Sequence, residues 1–198
     1  MKKFLLGTLF IISAFSAQAK DIQLVKPDTN GGMPLFEAIK ARRSGRAFDD
    51  KMLSDKHLSE LLWATWGLSS DDGKRVVPTA RNKQDIELYV LLQSGAYIYD
   101  AEKNLLKQTS DEDLRHFLGQ EQKFALTAPV HLLFVTDNRK YGDMHAGSMY
   151  QNAGLYCAME NLTCVVRGLY DHEGLDKALG LIGDQKTVIT FAAGYPKP

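Results

Sequence analysis

Pro129 is followed by the apolar run 130–135, a pattern typical of a strand buried on both faces. A strand of that kind needs cover from two sides, so the chain must build layers above and below a sheet. Residues 186–193 read as a second, final central strand. Residues 87–93 and 96–100 read as a β-hairpin, with further strands at 104–108 and 164–167. Helices are predicted from Pro34 to about Arg42 and from a Ser54 cap to Gly67. Two more run from about Met144 to Glu160 and from an Asp171 cap to Leu181, with shorter helical pieces at 111–118 and 121–127. In the first helix Leu35, Ala38, Ile39 and Arg42 share a face. A hairpin early and βαβ-like alternation later predict an α+β sandwich, a mixed sheet with helices on both faces.

The first nineteen residues stand outside that pattern. Lys2-Lys3, the apolar stretch 4–15 and Ala17-Gln18-Ala19 have the charge, core and small-x-small site of an export signal. The stretch is short for a bilayer span, which predicts cleavage, no membrane attachment afterwards, and a periplasmic or secreted protein. Residues 20–33 are expected to be a flexible lead and 34–198 one domain. Removing 1–19 takes the 24 basic residues to 22 against 24 acids, a net charge of −2. That balance argues against nucleic acid as a partner. Cys157 and Cys164 lie in apolar sequence and are expected to be buried free thiols, and no metal-ligand spacing links them to the five histidines.

Four segments are polar or glycine-rich beyond what packing requires. Ala41-Arg42-Arg43-Ser44-Gly45-Arg46 gathers three guanidinium groups and a hydroxyl with no acid among them. Such a set suits a compact phosphate, whose oxygens match guanidinium forks, and equally a solvated helix end whose cations complement the helix dipole. Pro78-Thr79-Ala80-Arg81-Asn82 offers a hydroxyl and an amide for a heterocycle's edge, or a turn that satisfies its own backbone. Gln151-Asn152 sits among Ala146, Gly147, Ala153, Gly154 and Ala158, which permit close approach of another helix from a second subunit or from the same chain. Val165-Val166-Arg167-Gly168 is a strand end feeding a glycine, which suits backbone groups facing a flat ligand, or else a surface turn. There is no Gly-x-Ser-x-Gly, no recognisable Cys/His pair and no Walker lysine. A bound organic cofactor is then the natural source of reactivity.

Taken in order, these segments resemble the nitroreductase superfamily of FMN-dependent oxidoreductases over nearly the whole chain beyond residue 19. The resemblance runs through residues 41–48, Leu61-Leu62-Trp63-Ala64-Thr65-Trp66-Gly67, Pro78-Thr79-Ala80-Arg81-Asn82 and Gln151-Asn152-Ala153-Gly154-Leu155-Tyr156-Cys157-Ala158. It ends with Val166-Arg167-Gly168 and Ala193-Gly194-Tyr195-Pro196-Lys197. It is closer to the short members akin to peptide thiazoline/oxazoline dehydrogenases than to the cytosolic nitro-compound reductases. The resemblance implies a three-layer α/β/α sandwich with a mixed, mainly antiparallel central sheet, and a homodimer with two FMN at its interface. It implies that Arg42, Arg43, Ser44 and Arg46 hold the FMN phosphate and ribityl chain. Thr79, where serine is commoner, and Asn82 would meet the isoalloxazine or ribityl oxygens. Val166, Arg167 and Gly168 would lie near the reactive N5 edge through backbone groups. Lys197 would stand in for cations that many members carry on a C-terminal arm. The implied activity is ping-pong hydride or electron transfer from a small-molecule donor to an acceptor such as a nitro compound or quinone. An export signal is unusual beside NAD(P)H, and the alternative it raises is an exported flavin-binding or flavin-scavenging protein without turnover.

Overall fold

The computed structural model describes residues 20–138 and 140–198, so the export signal expected over 1–19 lies outside the described residues. Among the described residues there are seven strands: β1 (Ile22–Gln23), β2 (Glu87–Leu92), β3 (Gly95–Asp100), β4 (Leu105–Ser110), β5 (Val130–Thr136), β6 (Thr163–Arg167) and β7 (Lys186–Gly194). The α-helices are α1 (Leu35–Ala41), α2 (Asp55–Trp66), α3 (Gly142–Met159) and α4 (His172–Ala178). The strand order is β1-β4-β3-β2-β5-β7-β6.

Every residue of β5 is buried, as its run of apolar side chains requires. Leu132 and Phe134 enter a core under α2 and α3 with Leu61, Leu62, Met149 and Phe191. Leu133 and Val135 point to the other face, among Leu91, Leu114, Leu118 and Leu175. The expected α+β sandwich is therefore the fold. Its strand pairings are all antiparallel among the described residues, where alternation had suggested a mixed sheet. The reason is the position of β7. Strands β5 and β6 each run antiparallel to β7, hence parallel to one another, and α3 joins them as in a βαβ unit. The last strand has entered between them.

Local signals account for most element ends. The Ser54 hydroxyl accepts from the His57 N–H at 3.2 Å and Gly67 closes α2. Asp171 caps α4 through the Gly174 N–H at 3.0 Å. The pieces expected at 111–118 and 121–127 form only the tighter 3-10 turns Leu114–Leu118 and Lys123–Thr127. They are bracketed by Gly119 and Pro129 and are too short to nucleate an α-helix. The lead expected to be flexible is fastened at its start. Ile22 and Gln23 pair with Leu106 and Leu105, Leu24 is buried, and the Asn104 amide donates to the Val25 carbonyl at 2.8 Å.

On α1 the expected face is only partly used. Ala38 is buried, but Leu35, Phe36 and Ile39 are 64%, 77% and 47% exposed. Packing within one chain reaches only the narrow Ala38 side of this two-turn helix. Among the described residues no helix is long and apolar enough to cross a membrane.

Candidate functional site

The segment after α1 is stitched between two strand ends. The Arg42 N–H closes the helix on the Ala38 carbonyl at 2.9 Å, and the Gly45 N–H donates to the Cys164 carbonyl at 2.8 Å. Phe48 pairs with Pro196, and the Lys197 N–H donates to the Ala47 carbonyl at 3.0 Å. Gly45 is needed for close approach: a β-carbon there would stand 2.7 Å from Thr163 Cγ2. Gly154 of α3 gives Arg42 its seat, its own absent β-carbon position lying 3.4 Å from Arg42 Cδ. These backbone contacts bring the segment that carries Arg42, the exposed Ser44 and Arg46 beside the backbone of Lys197.

Arg43 does something else. Its Nη1 donates to the carbonyls of Lys40 and Arg42, at 2.7 and 2.8 Å, and so satisfies the end of α1. Among the described residues no carboxylate pairs with Arg42, Arg43, Arg46 or Lys197. The corner's field reaches the core below it. Cys157 and Cys164 are free, buried and hydrogen-bonded to each other. Burial pushes the Cys157 thiol up, whereas the Cys157 hydrogen bond draws Cys164 down against burial, with help from the Arg42 charge.

The β6 end adjoins this corner through Phe124. Arg46 lies 6.0 Å from that ring's centre and Arg167 lies 5.2 Å from it. Arg167 is only 5% exposed. Its Nε donates to Gln122 at 3.1 Å and its Nη2 to the carbonyls of Leu118 and Leu169, both at 2.9 Å. Nη1 is buried without a partner among the described residues. Burial, then the Arg46 charge, lowers the Arg167 pKa. The side chain therefore staples the two 3-10 turns to β6. The Arg167 carbonyl accepts from Thr190 at 3.0 Å, Val166 packs on the α2/α3 core, and Gly168 is exposed.

Thr79 and Asn82 lie elsewhere. Arg81, Asn82 and Gln84 have φ of 56°, 52° and 48°, three left-handed residues without a glycine, interrupted by Lys83 at −67°. The Thr79 hydroxyl accepts from the Gln84 N–H at 3.1 Å, and Gln84 Nε2 donates to Asn82 Oδ1 at 3.2 Å. Arg75, over the Trp66 ring at 4.6 Å, donates to Gln84 Oε1 at 2.9 Å. From α3, His145 Nε2 accepts from the Ala80 N–H at 2.8 Å, while Nδ1 meets Asp85 Oδ1 at 2.6 Å. Asn138 donates to the other Asp85 oxygen. Burial raises the Asp85 pKa, but the hydrogen bonds from Asn138 and His145 outweigh it and hold the carboxyl below its usual range. His145 and the Gly154 seat of Arg42 are nine residues apart on α3, roughly 13 Å of helix. The fold thus brings the segments of Arg42, Ser44, Arg46, Arg167, Gly168 and Lys197 to one region, and leaves Thr79 and Asn82 near the opposite end of α3.

Sequence reasoning passed over Arg75, Gln84, Asp85 and His145. A histidine inside a helix, 60 positions from its carboxylate, leaves no local signature; the only available hint was the length of the polar loop 69–85.

Known proteins are similar to this chain in sequence and fold. A sequence model of the nitroreductase family matches residues 39–195. A nitroreductase homologue of Methanocaldococcus jannaschii is 28% identical, with 79% of this chain and 85% of that protein covered. The crystal structure of a nitroreductase homologue from Ralstonia eutropha has a TM-score of 0.83 and 34% identity over 90% of each chain. That of a homologue from Desulfovibrio desulfuricans, solved in complex with FMN, shares the fold at a TM-score of 0.61 and 22% identity, covering 85% of this chain and 89% of that one. With a family match running from the helix that precedes the arginine corner to the Gly194-Tyr195 end of β7, this chain belongs to the nitroreductase family.

Proposed function

We propose that this protein is an exported FMN-dependent oxidoreductase that acts as a homodimer. The observation that carries the reading is the corner of Arg42, Ser44, Arg46 and Lys197, held against β6 with no carboxylate partner among the described residues. A phosphate monoester fits that donor set. Two guanidinium forks, an ammonium and a hydroxyl match its charge and its three terminal oxygens. Gly154 leaves the room the Arg42 stem needs, and Gly45 lets the segment lie against Thr163. FMN bound there supplies hydride or electron transfer at N5, from a small-molecule donor to an acceptor such as a nitro compound or quinone.

The chain's own part is to bind and orient. Arg42 and Arg46 hold the phosphate. The β6 end, kept rigid by the buried Arg167, offers Val166 and Gly168 to the ring. Dimerisation completes the site: the exposed Leu35, Phe36 and Ile39 of α1 form an apolar surface, and a second copy seated on α1 and α3 brings its own Thr79 and Asn82 toward the corner. Export rests on residues 1–19, and cell fractionation tests it.

Purification decides the main point. Yellow protein with equimolar FMN, bleached by NADH or NADPH and recoloured by a nitroaromatic or quinone, is the expected result. Stable colour that no nicotinamide donor bleaches makes the protein a flavin binder without turnover. Colourless protein that ignores added FMN ends the reading.

A further inference from the structure

We propose that His145, held by Asp85, is the positioning residue that sets the Pro78-to-Asn82 loop for the flavin, through its Nε2 lone pair on the Ala80 N–H. The inference rests on the FMN reading above and adds two residues to it.

The loop needs an anchor. Arg81, Asn82 and Gln84 all adopt left-handed backbone, which costs free energy at any residue with a β-carbon. Such conformations persist where the surroundings over-determine them. Within the loop, the Thr79–Gln84 and Asn82–Gln84 bonds hold its members to one another. His145, itself buried, is the side chain of α3 that grips the loop's backbone, at 2.8 Å from the Ala80 nitrogen.

Chemistry settles the proton's place. The Ala80 N–H is a donor, so Nε2 must present a lone pair and the ring proton sits on Nδ1. That proton is directed at Asp85 Oδ1, 2.6 Å away, while Asn138 occupies the other carboxylate oxygen. Asp85 at the entry to β2, Asn138 after β5 and His145 in α3 therefore form a relay of fixed polarity that ends on the loop. The groups that bear on the ring are the Asp85 carboxylate and the Tyr141 phenol, stacked at 6.1 Å with the Lys140 ammonium 5.1 Å from that ring.

The test uses the purified chain, stripped of flavin and titrated with FMN by fluorescence quenching. Histidine nitrogen NMR and amide exchange at Ala80 are read on the flavin-free protein. The wild type should show the Nδ1–H tautomer at His145 and a protected Ala80 amide. His145→Leu should weaken FMN about tenfold, one lost hydrogen bond's worth, and deprotect Ala80. His145→Gln, which returns an acceptor near the Nε2 position, should recover part of both. Asp85→Asn should give a smaller loss with a mixed tautomer, and it carries the test if His145→Leu does not fold. FMN affinity and Ala80 exchange unchanged in His145→Leu, or in Asp85→Asn should the leucine variant not fold, would overturn the proposal while leaving the cofactor reading intact. A wild type that binds no FMN would sink both.

Discussion

The Gly45 N–H donates to the Cys164 carbonyl at 2.8 Å, and this bond ties the arginine corner to the start of β6. It requires the two backbones to touch, with Thr163 Cγ2 filling the space a side chain at 45 would take. Gly45→Ala should therefore destabilise the protein by about 1–3 kcal/mol, the range for overpacking, and loosen FMN as the corner shifts. Thr163→Ser removes the obstructing methyl. A double-mutant cycle in urea should show the pair recovering most of that loss; strict additivity would contradict the close approach.

The arginines of the corner should separate by role. Arg42→Ala and Arg46→Ala should each weaken FMN by roughly 1.5–3 kcal/mol, the range for a hydrogen bond to a charged group. Arg43 spends its guanidinium on the carbonyls of Lys40 and Arg42. Arg43→Ala should leave FMN affinity nearly unchanged and cost about 0.5 kcal/mol of stability at the helix end. Isothermal titration with FMN checks all three, and equal losses would refute the assignment.

His131 gives the fold an acid-sensitive element. It lies in β5, fully buried, with Nε2 on the Ala125 carbonyl at 2.9 Å. Burial pushes its pKa down to about 3 in spite of that bond, and the Arg167 and Arg115 charges add to the fall. A histidine kept neutral by folding takes up its proton first in the unfolded chain. Above about pH 6.5 neither state is protonated and the residue has no effect on the pH profile. Below that value stability falls by up to about 1.4 kcal/mol per pH unit from this group until the folded pKa near 3 is reached. His131→Gln keeps a donor for Ala125 and cannot titrate. Its urea midpoint should decline less steeply than the wild type's between pH 6 and 4 (roughly one proton's difference).

Both thiols are buried and free. A thiol reagent should find neither cysteine on a fast timescale in the native protein and both after denaturation. Prompt labelling of the folded chain would place them at the surface and contradict the packing of α3 on β6.

Much of the fold could be read beforehand because its determinants are local. The doubly buried β5, the caps at Ser54 and Asp171 and the break at Gly67 all act within a few residues of themselves. The position of β7 between β5 and β6 is a long-range choice, and alternation of helix and strand carries no information about it. The same division runs through the site. Arg42, Ser44 and Arg46 lie within five residues of one another, and Lys197 joins them because the chain just beyond β7 runs beside Ala47. Arg167 was expected to contribute backbone, which its strand-end position suggests; the burial of its guanidinium depends on Gln122 and Leu118, some 45 and 49 positions away. The side chains that anchor the Thr79-to-Asn82 loop through the Ala80 N–H come from three separate places in the chain, and no spacing rule connects Asp85, Asn138 and His145.

The place of β7 also governs when the protein can exist at all. Ribosomes deliver residues 186–194 after the two strands that flank them, so β5 and β6 wait with bare edges for a partner not yet made. Synthesis therefore cannot yield a smaller working unit on the way, and a stop codon ahead of position 186 should produce an aggregating fragment.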